Sequence, residues 1–436
     1  MLADRGSSSF PAVPAATART LAPFVFALFF IFGGITSLND VLIPKLKGLF
    51  ALDYREAMLV QFAFFISYLL TSVPAGFLVA RIGYMRAATI GLVTMAAGCL
   101  LFLPAARSGL FPSFLGALFV VAAGITIIQV VANPLISLLG PPATASSRLT
   151  FAQAFNSLGT TVMPYIGALL ILGSVANTNP AKLSGDALAS FRIAEARTIS
   201  HTYIGLALVL LLVAGVVWTR RSALGDDRSD VANPLAALDL LKRTRFAFGM
   251  ACIFLYVGAE VSIGSILTNW LTQPTTLALD PQTAGKHLSY YWGGAMVGRF
   301  IGAGLLRLFS PGKVLSIVAL IALALLALAA NSAGATAGWG LIAVGLFNAI
   351  MFPTIFSLAN EGLGPRAAEG SGLICVAIFG GAVLPPLTGW AADRVGLAAA
   401  LWVPAVSYAV IAAFGWSARR PVAETRMPAA RTRSPA

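Results

Sequence analysis

The sequence contains few charged residues and few of the residues that usually carry catalysis. Only 10% of the 436 residues are Asp, Glu, Lys or Arg, against about 25% in soluble domains. There are two histidines and three cysteines, and Cys99, Cys252 and Cys375 have spacings that fit neither a metal site nor a disulfide framework. The sequence offers no constellation of nucleophile, base and acid. It therefore predicts neither an enzyme nor a metal or cofactor site.

Hydrophobic residues are abundant instead, and they occur in long runs. They make up 58% of the chain, more than a water-soluble fold buries, and a helix needs about 20 apolar residues to cross the bilayer. Twelve such runs lie between clusters of charge, proline and glycine, at residues 21–47, 58–80, 85–105, 111–139, 151–173, 199–218, 246–272, 287–308, 313–331, 338–360, 371–391 and 397–418. The pattern predicts an all-α membrane protein with twelve transmembrane helices.

The distribution of Lys and Arg predicts the orientation of these helices, because cytoplasmic loops retain basic residues during insertion. With the N-terminus inside, 19 of the 29 basic residues lie on the cytoplasmic side and nine on the other, while Arg299 falls within a helix. Both termini are therefore expected in the cytoplasm, with the chain in the inner (plasma) membrane. This asymmetry explains the net charge of +13 without a nucleic-acid partner.

A long polar interval divides the chain into two similar parts. The layout is a disordered N-terminal tail 1–20, a six-helix half 21–218, a cytoplasmic linker 219–245, a six-helix half 246–418 and a basic C-terminal tail 419–436. At an offset of 224 residues, LGPP at 139–142 matches LGPR at 363–366, and Gly34 matches Gly258; at 226, Gly76 and Arg81 match Gly302 and Arg307. A repeat of this kind predicts a binding site at the interface of the halves.

Several motifs carry a resemblance to a known family. GFLVARIGYMR at 76–86 resembles the loop motif of the major facilitator superfamily, although Ala80 stands where that motif has an acid. Five further motifs resemble the fucose, galactose and glucose proton symporters. They are LND at 38–40, QVVANP at 129–134, GPPATASSRL at 140–149, QAFNSLGT at 153–160 and YVGAEVSIGS at 256–265. The resemblance implies a monomeric importer of a hexose by proton symport with alternating access, whose partners are a small-molecule sugar and the lipid bilayer.

Two acids within apolar helices, Asp40 and Glu260, are candidates for proton coupling. A carboxylate costs several kcal/mol at the bilayer centre, so it usually has a function there; the alternative is an ion pair that fixes helix packing. The family resemblance implies that Asp40 couples the proton. It also implies a glutamate in the fourth helix, where this chain has Gln129, which cannot titrate. Glu260 is the second acid available, either for coupling or for binding sugar.

Polar side chains around these acids are candidates for sugar binding, because amides donate and accept hydrogen bonds as sugar hydroxyls do. The candidates are Asn39, Gln129, Asn133, Gln153, Asn156, Glu260 and Asn348. Several recur at helical spacing and so share a face. The alternative is that they hydrogen-bond neighbouring helices. Tyr291, Trp292, Phe352 and Phe379 are candidates for stacking on the sugar or, equally, for packing.

Arg81, Arg299 and Glu369 are predicted to form a gate or a structural contact. Arg299 is a cation within the eighth helix, and we expect Glu361 or Glu369 to pair with it. Two other functions stay open at this point. One is a sodium-coupled or uncoupled carrier or exporter of the same fold; the other is a membrane sensor that binds sugar without moving it.

Overall fold

The computed structural model describes residues 15–50, 54–167, 185–224 and 234–420, and within them the regular structure is helical. The first six helices are α1 (Ala15–Phe50), α2 (Tyr54–Ile82), α3 (Tyr84–Ser108), α4 (Phe111–Leu138), α5 (Ala145–Gly167) and α6 (Gly185–Thr219). The others are α7 (Thr244–Thr272), α8 (Pro281–Leu308), α9 (Pro311–Asn331), α10 (Gly334–Asn348), α11 (Met351–Asn360), α12 (Ala367–Val376), α13 (Gly380–Val395), α14 (Leu397–Ala400) and α15 (Trp402–Ser417).

Each of the twelve predicted segments overlaps one or more of these helices, although residues 168–173 of the fifth segment lie outside the described residues, and the predicted all-α membrane architecture is confirmed. Within the described ranges, ten helical stretches are long and apolar enough to cross a membrane on their own. The two remaining segments are α5 and α8, which carry more polar residues. These two helices pack against each other, and protein contacts therefore shield polar groups that lipid would not accept.

Several predicted boundaries differ from the observed ones. Helix α1 begins at Ala15, inside the predicted tail 1–20, and α6 begins at Gly185 rather than at 199. The tenth segment divides into α10 and α11 at residues 349–350, and the eleventh divides at a 3-10 turn, Ala377–Phe379. Hydropathy marks only the part of a helix that lies in lipid, and it does not register where the backbone hydrogen-bond ladder is interrupted.

The two halves repeat their packing as well as their sequence. A Cβ atom added at Gly34 of α1 would lie 2.4 Å from Met163 of α5, and one added at Gly258 of α7 would lie 2.7 Å from Leu384 of α13. The paired LGP motifs also both lead into a 3-10 turn, Pro142–Thr144 and Gly364–Arg366. Equivalent glycines thus allow equivalent helices to approach closely in each half.

The halves contact each other at one end of the bundle, where the connections 139–145 and 361–366 and the central linker lie; we call this the linker end. Here α2 packs on α12, with the Gly372 Cα close enough that an added Cβ would lie 2.7 Å from the Ser72 carbonyl oxygen. On the other side of the bundle, Ser146 Oγ donates to Ser357 Oγ at 3.0 Å and Ser147 Oγ to the Ala303 carbonyl at 2.6 Å. The linker end of the described bundle is therefore closed.

Candidate functional site

In the first half, polar side chains of α4 and α5 lie next to each other. Gln153 Nε2 approaches Asn133 Oδ1 at 3.5 Å, and Gln129 Nε2 donates to the Tyr68 hydroxyl at 2.8 Å. Asn133 is fully buried, and its Nδ2 group has no hydrogen-bond partner among the described residues. A buried amide donor without a partner is costly, so this cluster retains capacity for a further ligand or a water molecule.

Asn156 extends the cluster toward α1. Its Nδ2 atom donates to the Phe29 carbonyl at 3.4 Å and lies where a side chain at Gly33 would be, 2.3 Å from the ideal Cβ position. Glycine at residue 33 is therefore what allows the amide to lie against α1. The neighbouring candidates Asn39 and Asp40 lie in α1 by sequence position, but their side chains fall outside the described part of the chain.

In the second half, Glu260 belongs to a closed ring of hydrogen bonds. The Tyr256 hydroxyl lies 2.8 Å from Glu260 Oε1 and 3.0 Å from the Asn348 carbonyl oxygen. Asn348 Nδ2 donates to the Tyr291 hydroxyl at 2.8 Å, and that hydroxyl donates to the Glu260 carbonyl at 3.3 Å. Tyr408 donates to Asn348 Oδ1 at 2.7 Å. Asn348, the candidate amide of this half, is thus fully buried between tyrosines.

Arg299 connects the two halves near the middle of α8. Its Nη1 group donates to Ser157 Oγ and, at 3.2 Å, to the Gln153 carbonyl, both on α5. Its Nε group donates to the Ala349 carbonyl at 3.4 Å. That carbonyl needs a side-chain donor because Pro353, four residues later, has no N–H to offer. The guanidinium also lies within electrostatic reach of Glu260.

The expected pairing of Arg299 with Glu361 or Glu369 is wrong. Glu361 pairs with Arg245, and Glu369 accepts two hydrogen bonds from Arg366, at 3.0 and 2.8 Å. The two acids lie beside other cations at the linker end, whereas Arg299 lies near the middle of α8, farther into the bundle.

Arg366 also binds Asp239 of the 3-10 segment Pro234–Lys242 through two hydrogen bonds, at 3.0 and 2.6 Å. These bonds hold the pKa of the Asp239 carboxyl below its usual value. Glu369 thus takes part in a structural contact at the linker end. Arg81, by contrast, is exposed and lies over the Phe77 ring at 5.8 Å.

The aromatic candidates divide by burial. Tyr291 is fully buried within the Glu260 ring, whereas Trp292 is 43% exposed. Phe352 and Phe379 are partly buried, and the Phe352 ring lies 6.5 Å from that of Tyr256. The Trp292 ring lies 5.1 Å from that of Tyr291, so Phe352 and Trp292 both lie next to tyrosines that hydrogen-bond Glu260.

Sequence reasoning missed the partners of the candidate residues: Tyr68, Ser157, Tyr256 and Tyr408. Hydropathy does not distinguish these residues from the apolar runs that contain them. The available signal was that a tyrosine hydroxyl buried in a membrane helix needs a hydrogen-bond partner. Tyr256, four residues before Glu260, satisfies that requirement on the same helix face.

Comparison with known proteins identifies the family. The Major Facilitator Superfamily profile matches residues 24–379. The chain belongs to the major facilitator superfamily. The fold of this chain is similar to that of the transporter FucP, whose crystal structure shows the outward conformation. The two structures superpose with a TM-score of 0.84 at 30% sequence identity, and the match covers 92% of this chain and 99% of FucP.

Relatives within the superfamily include transporters of sugars. A glucose/galactose transporter of Brucella abortus is 46% identical over 396 residues, covering 89% of this chain and 91% of the relative. An L-fucose-proton symporter of Escherichia coli is 34% identical over 360 residues, covering 79% and 81%. Like these superfamily members, the protein is a multi-pass membrane transporter and not an enzyme.

Proposed function

We propose that the protein imports a hexose of the glucose and galactose type by proton symport, with the two halves alternating between states open to either side of the membrane. The similarity to the Brucella abortus glucose/galactose transporter, which extends over nearly the whole of both chains, carries this proposal. The similarity to an L-fucose-proton symporter favours the proton over sodium as the coupling ion.

In this proposal the sugar lies between the halves and contacts both of them. Gln153, Asn156, Gln129 and Asn133 supply amides from α4 and α5, and Asn39 supplies a further amide from α1. Glu260 supplies a carboxylate from α7, and charge-assisted hydrogen bonds to sugar hydroxyls are stronger than those to amides. The Asn133 Nδ2 group, which finds no partner in the described part of the chain, supports a role for this cluster as a ligand site.

Asp40 is proposed as the principal proton carrier and Glu260 mainly as a sugar ligand. Gln129, at the position of a family glutamate, binds sugar without titrating. The protein is further proposed to act as a monomer in the inner (plasma) membrane, with both termini in the cytoplasm. In that orientation the closed linker end faces the cytoplasm, and we propose that the site opens toward the outside, a proposal that the likeness to FucP in the outward conformation supports.

Uptake of radiolabelled hexoses into proteoliposomes tests the proposal. We expect accumulation of galactose or glucose above the outside concentration when an inward proton gradient is imposed, and only equilibration when the gradient is collapsed. If a sodium gradient drives accumulation instead, the coupling ion is sodium and not the proton. Equilibration in every condition would indicate an uncoupled carrier, and binding without uptake would indicate a sensor.

A further inference from the structure

The hydroxyl group of Tyr256 lies between two acceptors but has one hydrogen to donate. Glu260 Oε1 lies 2.8 Å away and the Asn348 carbonyl oxygen 3.0 Å away, both within hydrogen-bonding distance. When Glu260 is charged and binds no sugar hydroxyl, its carboxylate and the Asn348 carbonyl can each accept a hydrogen bond but cannot donate one. The hydroxyl then satisfies one of them and leaves the other without this donor.

The choice between the two acceptors depends on the charge of Glu260. A hydrogen bond to a free carboxylate is roughly twice as strong as one to a neutral acceptor, so a charged Glu260 takes the Tyr256 hydrogen. When a sugar hydroxyl donates to the carboxylate, or a proton neutralises it, that advantage falls. The hydroxyl can then donate to Asn348, and a protonated Glu260 can donate to the hydroxyl in turn.

The Asn348 carbonyl is placed where such a change matters. It lies at the end of α10, next to the interruption at residues 349–350 that separates α10 from α11. Side chains of neighbouring helices supply the donors at this break: Arg299 bonds the Ala349 carbonyl, and Tyr256 reaches the Asn348 carbonyl. The Asn348 side chain is itself fixed by Tyr291 and Tyr408, so the variable bond is the one from Tyr256.

We infer that Tyr256 is a positioning residue that transmits the state of Glu260 to the break between α10 and α11. A free carboxylate holds the Tyr256 hydrogen and leaves the break less constrained. A carboxylate engaged by sugar, or neutralised by a proton, releases the hydrogen to the Asn348 carbonyl and tightens the break. The sugar-dependent part of this inference rests on the proposed function, whereas the dependence on Glu260 charge does not.

Amide hydrogen exchange of residues 349–356, followed by mass spectrometry on the full-length protein in nanodiscs, tests the inference. In the wild type we expect saturating galactose to slow exchange in this segment about 3- to 10-fold, the effect of one net hydrogen bond. Tyr256→Phe should bind galactose yet lose this sugar-dependent change, because the transmitting hydroxyl is absent. Glu260→Gln, which is neutral, should exchange slowly without sugar.

Tyr203→Phe is the matched control, because it removes another fully buried tyrosine hydroxyl, on α6 in the opposite half, where the ring stacks on Phe102. It should retain the wild-type response. A Tyr256→Phe protein that keeps the full sugar-dependent change overturns the inference. So does a Glu260→Gln protein that exchanges as the sugar-free wild type does, and this second comparison decides the matter even if Tyr256→Phe does not fold.

Failure of the proposed function would be recognised separately. In that case wild-type protein would bind neither galactose nor glucose in an equilibrium titration, and the sugar arm would show no response in any segment. The comparison of sugar-free Glu260→Gln with sugar-free wild type would still report whether neutralising Glu260 slows exchange at the break.

Discussion

Asp40 carries the most specific prediction at the scale of single residues. An acid within an apolar helix can take up and release a proton, whereas an amide of the same shape cannot. Asp40→Asn should therefore abolish accumulation driven by a proton gradient while galactose exchange across the membrane continues. The measurement is uptake and counterflow in the same proteoliposomes. Asp393→Asn, an exposed acid at the end of α13, is the control, and concentrative uptake by Asp40→Asn would contradict the assignment.

Gln153 and Asn156 are predicted to bind the sugar directly. Losing one partner of a buried polar contact costs about 1 to 3 kcal/mol, which corresponds to roughly 5- to 150-fold in affinity. Gln153→Ala and Asn156→Ala should each weaken galactose binding by that factor in an equilibrium titration. Asn331→Ala should not, because Asn331 is exposed and donates to the Ala327 carbonyl of its own helix. Unchanged affinity in both site variants would assign them to packing.

Arg299 illustrates what residue identity alone leaves open. Its position within an apolar run predicts a neutralising partner, and Glu361 and Glu369, beside the connection between the tenth and eleventh segments, were expected to supply it. In the fold, its hydrogen-bond partners are a hydroxyl and two backbone carbonyls. One of those carbonyls, that of Ala349, is available to Arg299 because Pro353 has no N–H to offer it, and a count of charges does not reveal this role of Pro353.

At the scale of helices, the contact between α2 and α12 should control closure of the linker end. A Cβ at Gly372 would lie 2.7 Å from the Ser72 carbonyl oxygen, and backbone atoms there cannot move aside without separating the helices. Overpacking of this kind costs about 1 to 3 kcal/mol. We expect Gly372→Ala to raise maleimide labelling of a cysteine placed at Ser147, which is 6% exposed, by roughly 5-fold or more.

Gly389→Ala provides the comparison for that experiment. Gly389 lies in α13, and a Cβ there would meet no atom of the described residues within 4 Å. Labelling at Ser147 should stay at the wild-type level in this background. If Gly372→Ala labels no faster than Gly389→Ala, the α2 and α12 contact does not hold the linker end closed.

At the scale of the whole molecule, the orientation in the membrane is open to a direct test. The 19 to 9 distribution of basic residues in the connections predicts that both termini are cytoplasmic. Alkaline phosphatase fused to the C-terminus should be inactive, and the same enzyme inserted after residue 180 should be active. A green fluorescent protein at the same two positions should give the opposite pattern. Active phosphatase at the C-terminus would show that this terminus lies outside the cytoplasm, and the predicted orientation would be wrong.

The sequence by itself determined the class of the fold, the number of membrane segments and the division into halves. These properties follow from the length and spacing of apolar runs, which depend on the bilayer and not on which helices touch. The glycine matches Gly34 with Gly258 and Gly76 with Gly302 also came from sequence alone. Glu260 was identified in the same way, because an acid is conspicuous wherever its neighbours are apolar.

Only the tertiary structure decided which polar groups meet. The hydrogen bonds around Glu260 join α7, α8, α10 and α15, and their partners lie up to 148 residues apart between Glu260 and Tyr408. The break between α10 and α11 matters because donors from α7 and α8 reach it. Hydrophobicity and the tendency to be buried are properties of single residues, so both can be inferred from the sequence. A hydrogen bond requires two atoms within about 3 Å and in line, and only the packed helices fix that geometry.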